Sequence, residues 1–285
     1  MIYLAYQSQS DFMKPLRKLA GDALASFAQL SAAPDNLFTR SIKASCEMIT
    51  RAGLSHVRPS FHIPSVAIDE CDVGVREEAA LVTPFATLLR FRKNSAIEQP
   101  RVLLVAPLSG HFATLLRDTV NTLLPDHDVY ITDWHNARDV PHAEGRFGLD
   151  EYVEHIVRFL EFLGPSAHVM GVCQPCVAAL AAVTVMAQDG NPAQPRSMTL
   201  MASPIDPRVN STKVNELATS RPLEWFERNL IATVPAPHAG AGRRVYPGFV
   251  QLGAFMSMNL SRHVKAHLDL YAALVQGKLD EARAT

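Results

Sequence analysis

An apolar run that ends at a cysteine and restarts at once as a helix constrains this chain more than any other stretch. Residues 166–180 read SAHVMGVCQPCVAAL. Residues 167–172 have the length and content of a strand buried on both faces, and the Ala-rich residues 177–186 have the content of a helix. Cys173 falls on the turn between them. A strand-to-helix turn of the nucleophile-elbow kind is tight, so the positions two before and two after the nucleophile must be small or suited to the bend. Gly171 and Pro175 stand there. Gly171 permits close approach of a neighbouring element, and Pro175 falls in the first helical turn, where a missing N–H costs nothing. The helix then aims its unpaired N–H groups and positive end at Cys173, a setting that suits a nucleophilic sulfur.

Two other readings fit the same residues. Free cysteine is among the most buried residue types and often only fills a core, but core residues rarely occupy a strand end that faces a helix N-terminus. The run Cys173, Gln174, Pro175, Cys176 is also a Cys-x-x-Cys with proline before its second cysteine, as in thioredoxin-like redox sites. Those sites follow the first strands of a short unit, whereas a long α/β pattern precedes this one.

That pattern sets the fold class. Residues 101–106 (RVLLVA) read as a strand, 112–124 as a helix stopped by Pro125, and 128–132 as a strand. Residues 149–163 read as a helix with Asp150 as N-cap and Gly164, Pro165 as its stop. The Cys173 strand, its helix and a strand at 197–202 follow. Alternation of this kind implies right-handed crossovers and a mostly parallel α/β sheet with helices on both faces. Ahead of it, residues 1–58 form a helical segment: Phe12, Leu16, Leu19, Ala23 and Phe27 recur at helical spacing, and a second helix runs over 37–52. Short strands at 65–68, 78–82 and 87–91 suit an antiparallel edge. The core spans 59–208. From 209 to 285 the character changes: Pro222, Pro235, Pro237 and Pro247 interrupt helical runs at 223–231, 249–259 and 262–274.

Composition excludes little but usefully. At 285 residues and 48% hydrophobic content the chain can bury one large core. A net charge of −1 gives no electrostatic case for a nucleic-acid partner. Four cysteines without a secretory start point to reduced thiols and a cytoplasmic setting. No apolar stretch has the length of a transmembrane span.

Active sites of such sheets lie at the carboxyl ends of the strands, and three ends besides the elbow carry chemistry. Ser109, Gly110 and His111 follow RVLLVA; a loop there can present a backbone N–H to an oxyanion, with the N–H of Gln174 as second donor. A plain turn is the competing reading. Asp133 and Trp134 open the run DWHNAR, which suits a pocket lining or a salt-bridged turn. Asp206 in SPID is placed to orient a histidine or to cap a turn.

The stretches APLSGHFATLLRDTV, DWHNARDVP, GVCQP, SMTLMASPIDPRVN, PLEWFE, RRVYPGF and FMSMN, in this order, resemble the intracellular polyhydroxyalkanoate (polyhydroxybutyrate) depolymerases. The resemblance implies an α/β-hydrolase fold in which a cysteine takes the place of the usual serine, with residues 209–285 as a cap. It implies that Cys173 attacks the ester carbonyl of stored poly(3-hydroxybutyrate), giving an acyl-enzyme that water, another hydroxyl end or a thiol acceptor cleaves. The implied partner is a polyhydroxyalkanoate granule or a 3-hydroxybutyrate oligomer, and no metal or organic cofactor is implied. In that family the acid and histidine of the triad lie in a final stretch beyond the cap. The expectation is therefore a chain lacking the C-terminal part and the terminal core strands, with weak activity, or else a catalytically incomplete fragment that binds granules or a partner. His238, His263 and His267 follow the start of the cap, the last two at i, i+4 spacing like an ordinary solvated face.

Of the four cysteines, Cys173 is expected to react fastest with iodoacetamide at neutral pH, as read by competition labelling and peptide mapping. Equal labelling of Cys176, with a reversible disulfide between the two, is the contrary result and favours the redox reading.

Overall fold

Helical spacing near the N-terminus and alternating apolar residues further on divide the chain into two kinds of structure. The computed structural model describes residues 2–29, 36–54, 56–108, 111–203 and 205–278. In chain order the elements begin with helices α1 (Ile2–Gln29) and α2 (Leu37–Arg51). Strands β1 (Ser65–Ile68), β2 (Cys71–Val82), β3 (Ala86–Lys93) and β4 (Arg101–Val105) follow. Then come α3 (Arg117–Leu123), β5 (Asp128–Trp134), α4 (Leu149–Leu163), β6 (His168–Val172), α5 (Pro175–Gln188) and β7 (Ser197–Met201). Helices α6 (Lys213–Ser220) and α7 (Leu223–Asn229), the short strands β8 (Ala232–Thr233) and β9 (Arg244–Val245), and helices α8 (Gly248–Met258) and α9 (Leu260–Gln276) complete it.

Seven strands form one sheet in the order β1-β2-β3-β5-β4-β6-β7. Strands β5, β4, β6 and β7 pair in parallel, and β3 joins β5 antiparallel through Ala86 opposite Trp134. Period-two alternation decides what each face buries. On β4, Leu103 and Val105 face α4 and α5, packing with Tyr152, Ile156, Phe159, Ala178 and Ala182. Val102, Leu104 and Ala106 face the other way, onto Val120, Leu124, Ile131, Phe61 and Phe91. The strand is buried on both faces, which explains its unbroken apolar sequence. The connection from β4 goes to β5 on one side and the sheet resumes with β6 on the other side of β4. Ligand crevices of open α/β sheets form outside the strand ends where the order reverses in this way. This is an α/β-hydrolase-like fold, a mixed sheet with a parallel core and helices on both faces.

Two local expectations are corrected. Strand β2 begins at Cys71, well before residue 78, because its first residues pair with β1 while the remainder pairs with β3. Pairing with β1 outweighs the weak strand preference of Asp72 and Gly74. The N-cap of α4 is Gly148, whose N–H donates to the Glu151 carboxylate at 2.7 Å, while Asp150 pairs with the exposed Arg146. Among the described residues β7 is the outermost strand on its side of the sheet.

The described residues separate into two compact units, one of residues 57–248 and the other of residues up to His56 together with those from Phe249 onward. The division at 248/249 falls inside the segment read from sequence as one cap. In the second unit Asn36 caps α2 by accepting from the Thr39 N–H at 2.9 Å. Phe249 stacks on Tyr6 with ring centroids 4.1 Å apart, and Leu270 and Ala273 pack with Met48. No helix among the described residues is long and apolar enough to cross a membrane.

Leu104 is fully buried in the face that carries α3. Leu104→Ala is expected to cost about 2–5 kcal/mol of unfolding free energy, read by urea denaturation of the full chain. A loss well below that range contradicts the two-faced burial of β4.

Candidate active site at the carboxyl ends of the strands

The turn after β6 has the geometry its residue types call for. Cys173 sits at φ 68°, in the left-handed region that side-chain-bearing residues rarely adopt. Such a residue costs on the order of 1–3 kcal/mol and persists only where its surroundings enforce it. Two contacts do so. The Cys173 N–H donates to the Met201 carbonyl at 2.8 Å, tying the turn to the end of β7, and the Cys176 N–H donates to the Cys173 carbonyl at 3.2 Å. Pro175 is the first residue of α5. Gly171 is required by contact: a Cβ there would lie 3.2 Å from Cys176 Cα and 3.3 Å from its Sγ.

The two cysteines of the Cys-x-x-Cys differ in surroundings. Cys176 is fully buried, and its thiol donates toward the carbonyls of Gly171 at 3.2 Å and Met201 at 3.5 Å, under the turn. Cys173 is half-buried at the strand end. A thiol already committed to strand carbonyls is poorly placed as a resolving partner, so the geometry speaks against the redox reading.

The loop after β4 meets the elbow at this edge. The Leu108 N–H donates to the Gln174 side-chain oxygen at 2.9 Å. Ser109 and Gly110, the sequence-stated oxyanion residues of that loop, lie outside the described residues. His111 remains surface-exposed, yet partial burial of its ring holds it below the ordinary histidine pKa.

The remaining expected pocket residues have other partners. Trp134 donates its ring N–H to the Ala106 carbonyl at 2.8 Å, and the Ala106 N–H donates to the Thr132 hydroxyl at 2.9 Å. Its ring meets Tyr152 edge-on at 4.8 Å, so Trp134 braces the end of β4 against α4. Asp133 pairs with Arg58 at 2.7 Å. Burial raises its carboxyl above the ordinary range, with the Arg58 charge opposing. Asp206 holds Arg208 through two side-chain bonds of 2.8 and 2.7 Å and caps the Arg208 N–H at 3.0 Å. Its hydrogen-bonded Arg208 keeps that carboxyl below the ordinary range. Of the two sequence readings for Asp206, the capped turn is the one its contacts describe.

A cleft of about 270 Å³ does open beyond β5, but His135 and Asn136 line it with Pro84, Asp139 and Glu144, rather than Asp133 or Trp134. His135 is itself held, by the Pro84 carbonyl at 2.9 Å and the Thr87 hydroxyl at 2.8 Å. His238 places Nδ1 3.9 Å from Asp139. In the helical unit, His263 and His267 line an open apolar groove of about 470 Å³ with Met48, Met256, Leu260 and Tyr271, with His267 exposed. Sequence reasoning missed Ala202 and Ser203. Ala202 is also left-handed, at φ 54°, one position past the Met201 carbonyl that holds Cys173, and the Ser203 hydroxyl is buried without a partner among the described residues. An alanine carries no signal of such a turn. Among the described residues no group of three or more His, Cys, Asp or Glu side chains is arranged to hold a metal.

Residues 202–285 match a family model described as the PHB de-polymerase C-terminus. The expectation that the C-terminal part is absent is therefore not borne out, since the segment the family names as its C-terminus is present. No curated protein sequence matches the chain. Solved structures that align with it include the 2-hydroxy-6-oxo-6-phenylhexa-2,4-dienoate hydrolase of Rhodococcus sp. strain RHA1, at 16% identity and a TM-score of 0.34 over 46% of this chain and 47% of that one. A bacterial heroin esterase aligns at 16% identity and TM-score 0.36, over 76% of this chain and 64% of that one. The naproxen esterase (carboxylesterase NP) of Bacillus subtilis aligns at 10% identity and TM-score 0.31, over 58% and 50%. The chain thus spans about half the length of the first of these relatives.

Gly171→Ala is expected to lower unfolding free energy by about 1–3 kcal/mol, because its Cβ meets helix backbone that cannot rotate away. Thermal denaturation reads the change; an unaltered midpoint contradicts the close strand-to-helix approach.

Proposed function

We propose that this chain is a cysteine-nucleophile ester hydrolase of the polyhydroxybutyrate depolymerase kind, acting on poly(3-hydroxybutyrate) or its oligomers. The observation that carries the reading is Cys173 in a left-handed turn between β6 and α5, at the strand ends where the sheet order reverses. The family match over residues 202–285 supplies the substrate class.

In this reading the Cys173 thiol gives its proton to an imidazole and the sulfur attacks the ester carbonyl carbon. The tetrahedral oxyanion is received by the Gln174 N–H and by one N–H of the Ser109–Gly110 pair. Collapse breaks the C–O bond, the alkoxide leaves with the proton from the imidazolium, and a thioester remains on Cys173. Water then adds to the thioester and releases the 3-hydroxyacyl group as an acid, restoring the thiol. His111 and Trp134 stand at the same sheet edge as the attacking sulfur. The half-buried Trp225 and Phe226 of α7 offer apolar surface to a polyester chain. No metal or organic cofactor enters these steps.

Release of 3-hydroxybutyrate from amorphous polymer or a soluble trimer is the direct test. Cys173→Ala is expected to abolish turnover. Ala variants of His111 and His238 test for the proton acceptor, whose loss is expected to lower kcat about 10²- to 10⁴-fold. Undiminished turnover by Cys173→Ala overturns the proposal.

A further inference from the structure

The side chain of Gln174, as distinct from its backbone N–H, does work of its own. It follows the nucleophile directly, with backbone angles already helical (φ −48°, ψ −41°), so its position is fixed by the start of α5. From there its amide oxygen accepts the Leu108 N–H at 2.9 Å, across 66 residues of sequence. This is a direct polar tie between the turn that carries Cys173 and the loop that leaves β4. The residues on either side of that loop's start are already held. Ala106 is fixed on both backbone groups, by the Thr132 hydroxyl and the Trp134 ring N–H. Beyond Leu108 the chain is anchored again where the 3-10 turn Ala113–Leu116 buries Ala113 and Leu116. The hydrogen bond to Gln174 therefore ties Leu108, between these anchors, to the elbow.

We infer that Gln174 is a positioning residue, whose side-chain oxygen sets the distance between the loop after β4 and the nucleophile turn. This rests on the ester-hydrolase reading and adds a constraint to it. The Leu108 N–H is already used, so it is not a free donor to an oxyanion. An oxyanion hole needs two N–H groups at a fixed separation, one on each of the segments that Gln174 joins. Without the tie the loop keeps its sequence and its donors but loses its register against the sulfur, and displacements of about 1 Å are enough to cost about 100-fold in rate.

The experiment uses the full chain with two variants. Gln174→Leu removes the acceptor at similar volume, and Gln174→Glu keeps an acceptor oxygen at the same reach. Three quantities are read: amide exchange of Leu108, the iodoacetamide rate of Cys173, and kcat and KM for a soluble 3-hydroxybutyrate trimer. Alkylation needs no oxyanion hole, so it reports whether the elbow itself survives. Gln174→Leu is expected to speed Leu108 exchange and lower kcat about 10- to 100-fold, with KM and alkylation unchanged. Gln174→Glu is expected to restore most of both losses. Retained kcat in Gln174→Leu despite faster Leu108 exchange overturns the inference, as does a parallel fall in alkylation, which marks general damage to the turn. A parent chain that protects Leu108 but shows no Cys173-dependent turnover defeats the function reading instead, and the catalytic consequence with it, while leaving the tie in place.

Discussion

The left-handed backbone of Cys173 is the constraint on which the rest of this site depends. A side-chain-bearing residue adopts φ 68° only when both its flanks are held. Here one flank is fixed by the Cys173 N–H on the Met201 carbonyl and the other by α5 starting at Pro175. Those contacts require β6 and β7 to lie side by side in parallel and require α5 to descend closely over β6. The close descent requires Gly171. Cys176, which a sequence motif would pair with Cys173, is part of this support: its buried thiol bonds the same two strand ends from beneath.

The sheet supplies the rigidity that the turn draws on. Strand β4 is buried on both faces and sits between β5 and β6, so the loop leaving it and the turn leaving β6 emerge side by side. Gln174 joins the two directly. Trp134 and Thr132 reach from β5 to the last residue before the loop, so three adjacent strand ends are stitched by side-chain bonds to backbone groups. Preorganisation of this kind is what electrostatic stabilisation of an oxyanion demands, because donors that must first be ordered contribute little.

Much of this was legible in the sequence because burial on two faces leaves an unbroken apolar run: RVLLVA is such a run, while HVMGV buries one face fully and the other only in part. The Gly171, Cys173, Pro175 spacing carries its own steric reason and located the turn. What sequence could not give depends on contacts between distant residues. Asp133 looked like a pocket residue, but its carboxylate is taken by Arg58 from a segment 75 positions earlier. Asp206 sits beside its own counter-ion, Arg208, and that local pair accounts for it. His263 and His267 share a helix face as their spacing requires, but the Met48 that makes that face an apolar groove comes from α2. Ala202 gives no sign in sequence of its left-handed backbone, because nothing about alanine favours one. The expected absence of the C-terminal part failed for a different reason: it rested on counting missing strands, and the family segment at residues 202–285 is helical over most of its described length.

The central claim is that Cys173 forms a covalent bond to the acyl group of an ester. Rapid quenching with an activated butyrate ester, followed by peptide mapping in a mass spectrometer under acid, reads this directly. The account predicts a butyryl thioester on the peptide that contains Cys173, formed in a burst before steady turnover and released by hydroxylamine. Ester turnover with no adduct on that peptide, or with the adduct on a different residue, contradicts it.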